Sequence, residues 1–395
     1  MCAREKMNIK FRYMALMMAA ALLLCGCGQS GDEPGGVEPT PQSGSKAIAF
    51  SGDLKEESVT RAGDLPLEQR YKKFKAWSFK TDNDDNSNIV MDGYMVRWFN
   101  NSANSSATNS SDWEYVNQQD LGDMQQSVKY WDFTAKDYRF FGIAFSSETN
   151  IPKGKYIPDP EDPTTNAYYE VSYTADAEYA TTTPYYSHLW YSAKDDADCL
   201  YGKPVMLEFI MPLSRVRFCF TFENPSDAKD TELTNMHFRP TDGNTIKTKG
   251  DVTVRYKLTG GKEKEKFSAS ASAEGITEFD KDYYTSADLK EDGSGKVISP
   301  YLNADKTPLN KEYMVLPTPN GQGSYTLTVS VEGEPKTTVV PSQYMTWQPG
   351  YLYTYVFKVH ADYSVTIDNV QSAFTKWIEH PGENESETDI KVHNW

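Results

Sequence analysis

The sequence predicts an all-β protein of two β-sandwich domains in tandem. Three observations lead there. Apolar residues alternate with period two along most of the chain, as on strands that bury one face. Aromatic residues are abundant, with 26 Tyr, 18 Phe and 8 Trp, and flat rings pack well across a pleated surface. No long amphipathic helix stands out; residues 64–73 and 277–284 are the two short candidates. A chain of 395 residues is long enough for two domains that each bury a core.

Taken in order, the first strand candidate is Ala47-Ile48-Ala49-Phe50, with Ile48 and Phe50 on one face. Phe74–Phe79 and Ile89–Phe99 follow, then an Asn/Ser-rich loop over 100–112. Tyr138–Phe145 is more continuously apolar and reads as a central strand. Residues 151–166 carry four prolines and read as loop, followed by strands at 168–173 and 187–191. The cleanest alternation is in 214–222, where Val216, Phe218, Phe220 and Phe222 share one face, as in a half-buried strand. The boundary between the domains falls close to it. Further strands are expected at 252–258, 311–316, 325–331, 337–340, 351–359 and 364–367, separated by turn signals such as Asn320-Gly321 and Pro349-Gly350.

The N-terminus carries a targeting signal. Arg4, Lys6, Lys10 and Arg12 precede an apolar run from Met14 to Leu24. That run is too short for a bilayer-spanning helix of about 20 residues and reads as a secretory signal. Residues 28–46 are rich in Gly, Pro and Ser, the composition of a flexible linker. After export, Cys199 and Cys219 remain in an oxidising compartment. A disulfide between them is open, and so is a buried thiol at Cys219.

The net charge of -16 argues against nucleic acid, whose phosphates would be repelled. A search for chemistry finds no catalytic constellation and no cofactor motif. The five histidines lack metal-ligand spacing, and no nucleophile elbow, phosphate loop or dinucleotide fingerprint appears. The acidic run 82–88 begins like a calcium loop but lacks the glycine and the closing glutamate, and reads as a solvated hairpin turn. Trp98, Trp113 and Trp131 leave open a glycan-stacking surface, provided their rings are exposed together on one face.

Leu24-Cys25-Gly26-Cys27 resembles the lipobox of bacterial lipoproteins. It is followed by the linker, a strand and Val59-Thr60-Arg61-Ala62. With Trp131 ahead of Tyr138–Ala144, Leu189-Trp190-Tyr191-Ser192-Ala193, Leu207–Phe209 with Leu213–Phe218, Trp347-Gln348-Pro349-Gly350-Tyr351-Leu352-Tyr353-Thr354-Tyr355, and the closing Val370–Trp377, the order of blocks resembles the fimbrillin family, the subunits of surface pili sometimes called type V. The family often carries a His where Met211 stands.

The resemblance implies two transthyretin-like Greek-key sandwiches, over 47–212 and 213–395, behind a signal peptide at 1–27 and a linker at 28–46. It implies lipidation at Cys27, an outer-membrane precursor, and trimming by an arginine-specific protease between Arg61 and Ala62. Cleavage there would release a propeptide strand, 47–61, carrying Ile48 and Phe50, and leave a groove for a neighbouring subunit's strand. The candidate donor lies in the tail 379–395, where Ile390 and Val392 alternate with polar residues. Its alternatives are a frayed tail and a last strand of the protein's own sheet. Expected partners are other fimbrial subunits, in a homopolymer or a hetero-assembly, and a host or bacterial surface ligand. The competing functions are a glycan-binding surface lipoprotein that does not polymerise and a tip or accessory adhesin.

Overall fold

The computed structural model describes residues 46–54, 67–99, 112–116, 126–146, 149–158, 167–180, 182–224, 227, 231, 233–269, 274–284, 313–374 and 391–392. These are almost entirely strand and turn, so the protein is all-β. The described helices are a single turn, α1 (Leu67–Arg70), and a 3-10 turn at Ser342–Tyr344. None of the described helices is long and apolar enough to cross a membrane.

The first half of the chain builds ten strands: β1 (Phe50–Leu54), β2 (Lys73–Thr81), β3 (Ser87–Trp98), β4 (Trp113–Glu114), β5 (Asp137–Ala144), β6 (Lys153–Ile157), β7 (Tyr168–Asp176), β8 (Tyr185–Ser187), β9 (Trp190–Ala193) and β10 (Val205–Ile210). Seven of them close a ring of pairings. β2 pairs with β3, β3 with β4, β4 with β1, β1 with β10, β10 with β8, β8 with β5, and β5 returns to β2. β9 lies outside the ring, beside the first half of β5. As its apolar run suggests, β5 is central: Tyr138–Ala144 are all buried. Buried Arg139 donates hydrogen bonds to Asp137, to Thr81 of β2 and to the Gly260 carbonyl, and so knits three segments together.

The second half supplies β11 (Ser214–Phe222), β12 (Leu233–Pro240), β13 (Ile246–Lys257), β14 (Lys266–Ala269), β15 (Glu274–Ile276), β16 (Phe279–Tyr284), β17 (Tyr313–Val315), β18 (Tyr325–Val331), β19 (Glu334–Val340), β20 (Tyr351–Val359), β21 (Val365–Phe374) and β22 (Lys391–Val392). One sheet runs β17-β11-β20-β21-β22 and another β16-β12-β18-β19. Their inner faces share a core that includes Phe218, Phe220, Phe238, Tyr325, Trp347, Tyr355 and Phe357. The indole N–H of Trp347 donates to the Tyr355 hydroxyl at 2.9 Å, which satisfies its one polar atom.

β13 joins the two halves. It pairs with β7 from Lys249↔Asp176 to Lys257↔Tyr168, in a sheet ordered β14-β13-β7-β6. Its Val252, Val254 and Tyr256 belong to the first core, with Tyr256 stacked on Phe141 at 3.9 Å between ring centres. Its first residue, Ile246, belongs to the second.

Four sequence expectations are corrected. The 214–222 strand is covered on both faces, not one: Arg215, Arg217 and Cys219 are buried as well as the even positions. Its polar residues are tolerated because they find partners, as when Arg217 Nε donates to Thr354 Oγ1 at 2.7 Å. The proline-rich 151–166 segment contains β6, flanked by Pro152 and Pro158, where proline does not interrupt the ladder. The 187–191 strand is two, β8 and β9. They part where Glu265 accepts hydrogen bonds from Leu189 N–H and shares one with His188 Nδ1, at 3.2 and 2.6 Å. The 277–284 helix candidate is strand β16, held by antiparallel pairing with β12.

Candidate functional site

The segment 46–54 sits in the first core as the strand that closes the ring. Ile48 and Phe50 are 0% and 1% exposed. Before β1 begins, Ile48 N–H donates to the Lys129 carbonyl at 2.8 Å and Trp131 N–H to the Lys46 carbonyl at 2.9 Å, around an antiparallel bridge of Ala47 with Tyr130. On the other side Val205 N–H donates to the Ala49 carbonyl at 2.8 Å. From there β1 runs parallel to β10, from Phe50↔Val205 to Leu54↔Phe209. Phe50 also stands opposite Trp113 of β4.

The side chains explain the seat. Phe50 makes edge-on contacts with Phe74, Tyr115 and Phe140, with ring centres 5.8, 5.9 and 6.1 Å away, the geometry in which ring edges meet ring faces. Tyr115 is fully buried. Burial pushes its phenol well above the usual range, so the hydroxyl keeps its proton. That hydroxyl donates to the Ile48 carbonyl at 2.9 Å and accepts Lys129 N–H at 3.1 Å. The 126–131 wall is fixed in turn by Gln126. Its amide accepts from Met95 N–H at 2.6 Å and donates to the Met95 and Tyr115 carbonyls at 2.9 and 2.6 Å, taking the place of a strand beside β3.

The seat is closed on both faces over residues 47–50 and opens beyond them. Ala47 and Ala49, on the face opposite Ile48 and Phe50, are only 7% and 6% exposed. Ser51 is half-buried, and its β10 partner Met206 is 57% exposed. Lifting β1 out would separate β4 and the 129–131 segment from β10 by the width of one strand. It would leave unpaired backbone groups on both walls and an apolar floor of Phe74, Trp113, Tyr115 and Phe140.

Sequence reasoning put Ile48 and Phe50 on one face of a strand at 47–50; both are buried, but β1 runs Phe50–Leu54, and Ala47–Ala49 lead into it through a single bridge. That reasoning did not find Trp113, Tyr115, Gln126 or Lys129–Trp131. Their signal is short: the alternation in Trp113-Glu114-Tyr115-Val116 spans four residues directly after an Asn/Ser-rich loop. Arg61, Ala62 and Cys27 lie outside the described residues, as does Ile390. Val392 lies in β22, paired with Gln371 on the outer edge of β21 in the protein's own sheet. Cys199 and Cys219 are both thiols. Cys219 is buried in the second core, and Cys199 is in the turn after β9.

The remaining candidates have structural explanations. Trp113 and Trp131 are each 3% exposed and Trp98 packs against Trp113, so these rings form no stacking face for a glycan. Asp82 accepts from the amides of Asp84 and Asn86 and from the side chains of Asn86 and Asn88, a carboxylate saturated by its own hairpin turn. Among the described histidines, His188, His237 and His360 pair with Glu265, Glu278 and Glu223. No group of three or more His, Cys, Asp or Glu among the described residues is arranged to hold a metal ion.

No family model and no curated protein matches the chain. Solved structures do. A fimbrial protein from Bacteroides vulgatus is similar at 12% identity and a TM-score of 0.42, over 82% of this chain and 98% of that one. A fimbrial assembly protein from Parabacteroides distasonis is similar at 11% identity and a TM-score of 0.31, over 89% and 100%. These are distant likenesses.

Proposed function

We propose that this protein is a structural subunit of a surface fimbrium, exported as a lipoprotein on Cys27 and activated by cleavage between Arg61 and Ala62. Residues 27–61 leave together, β1 goes with them, and a neighbouring subunit's strand takes the vacated place in the ring. The observation that carries the reading is that a strand next to the N-terminus closes the ring, within a few residues of Val59-Thr60-Arg61-Ala62. A ring has no edges to template another chain. The ring is therefore protected in the precursor, and loss of this one strand creates two edges and an apolar slot at once. The incoming strand is held by main-chain hydrogen bonds and by apolar side chains worth roughly 1.5–3 kcal/mol each on burial. The order of sequence blocks that resembles the fimbrillins supports the same reading, as does the length of linker between Cys27 and the first strand, which holds the body away from a membrane.

Treating the purified precursor with an arginine-specific protease tests this. A fragment ending at Arg61 is expected to be released, followed by polymerisation or by uptake of an added donor strand. A protein that is trimmed there but neither polymerises nor takes up any strand would refute the reading. Replacing Cys27 with Ser is expected to free the protein from the membrane fraction, and retention would refute the anchor.

A further inference from the structure

We infer that the slot under β1 is selective against the chain's own C-terminal strand and takes its donor from a different kind of subunit. This rests on the strand-exchange reading above and adds the identity of the partner. The required donor carries small residues in the places of Ala47 and Ala49, a large apolar residue in the place of Ile48 and an aromatic one in the place of Phe50.

The evidence is the burial of both faces. A strand lying on an open sheet surface alternates between covered and exposed side chains. Residues 47–50 do not: all four are 7% exposed or less. Ile48 and Phe50 fill the core side, so the alanines are small because the other side is walled too. Tyr130 stands opposite Ala47. The requirement for small residues fades only at Ser51, where the slot opens.

The chain's own tail does not meet this pattern in any frame. With Ile390 and Val392 in the places of Ile48 and Phe50, Asp389 and Lys391 fall where Ala47 and Ala49 stand. Moving two residues one way puts Lys391 and His393 at the alanine positions, and moving two the other way puts Glu387 and Asp389 there. A shift by one residue instead sends Lys391 or Asp389 into the aromatic core. Each of these frames buries at least one charge, and the frame that ends on Trp395 instead puts His393 where Ile48 stands and Asn394 where Ala49 stands; such burial is costly. The tail has another seat: Lys391 and Val392 pair with Ser372 and Gln371 on β21. A second copy of this chain is therefore a poor donor to the first. The subunit fits a hetero-assembly, in which its slot is filled by another protein and its tail serves another slot.

Competition for the slot decides this. The full chain is cleaved after Arg61, and displacement of the isotopically labelled 27–61 fragment is followed by native mass spectrometry against three synthetic peptides. These are residues 45–54, residues 386–395, and the latter with Asp389→Ala and Lys391→Ala. The first peptide is expected to exchange in. The natural tail is expected to need roughly tenfold or more concentration for equal displacement, and the double substitution to recover most of the difference. Equal displacement by the natural tail and by residues 45–54 would overturn the inference and leave the slot itself standing. A substituted tail no better than the natural one would also overturn it. Failure of residues 45–54 to exchange at all would defeat the strand-exchange reading, and the selectivity with it.

Discussion

Phe50 is the side chain on which the first core closes. It touches rings from β2, β5 and the segment after β4, three elements far apart in sequence. Phe50→Ala is expected to cost about 3–5 kcal/mol, read as a lower urea midpoint of the uncleaved protein. Asp132 contributes to acid stability beside the slot. Burial alone would raise its carboxyl, but hydrogen bonds from Thr134 and Lys80 and the charge of Lys80 outweigh this and hold it down at about 2, against an ordinary 3.8. A carboxyl lowered on folding stabilises the protein fully above its unfolded value and stops doing so as the pH falls through its folded value. The wild-type midpoint should therefore drop between about pH 4 and 2. Asp132→Asn should start lower at neutral pH and fall less steeply across that window. Parallel curves would show that Asp132 does not control this branch.

At the scale of elements, β1 is both integral and detachable. The residues leading into it are hydrogen-bonded on both sides at 2.8–2.9 Å, yet the sequence before residue 47 reads as linker and signal peptide. Hydrogen exchange separates the two states. In the precursor, the amides of Trp131 and Val205, bonded to the carbonyls of Lys46 and Ala49, are expected to exchange slowly. After cleavage and displacement of the fragment they should exchange fast, while those pairing β2 with β5 stay protected. Unchanged protection at Val205 would mean that nothing leaves. Much at this scale was legible in the sequence. Strands 325–331 and 351–359 have the bounds read from the sequence, because each buries apolar residues and is bounded by a Gly-containing turn, Glu332-Gly333 after the first and Pro349-Gly350 before the second. What escaped was short or peripheral. β4 is two residues long, and β6 lies at a sheet edge with four of its five residues exposed, so no core imposes a pattern on it. In β16, Phe279 and Tyr283 stand four apart as on a helix, and only pairing with β12, remote in sequence, makes the segment a strand. The slot was half legible for the same reason. Its occupant announces itself by Ile48 and Phe50, whereas its walls come from short segments whose meaning is tertiary.

At the scale of the whole molecule, the two cores are distinct but not independently supplied. The first draws Val252, Val254, Tyr256 and Leu258 from beyond residue 213, together with Leu316. All five are fully buried or within 1% of it. A chain ending at residue 212 would lack them, would uncover Phe141 where Tyr256 stacks, and would expose the length of β7 that β13 covers. An exposed strand of nine residues with an apolar face is a template for aggregation. The fragment 47–212 should therefore fail to reach a native core, showing dye binding and weak near-ultraviolet dichroism, although it contains every strand of the ring. Extending it through residue 269, so that β13 and β14 are present, should restore a cooperative transition if β13 is the missing part. The intact protein should in turn unfold in one transition, because no boundary can be drawn that leaves β13 whole and both cores complete. Two separate transitions in the intact chain, or a well-folded 47–212 fragment, would show that the strand shared between the cores is dispensable to the first.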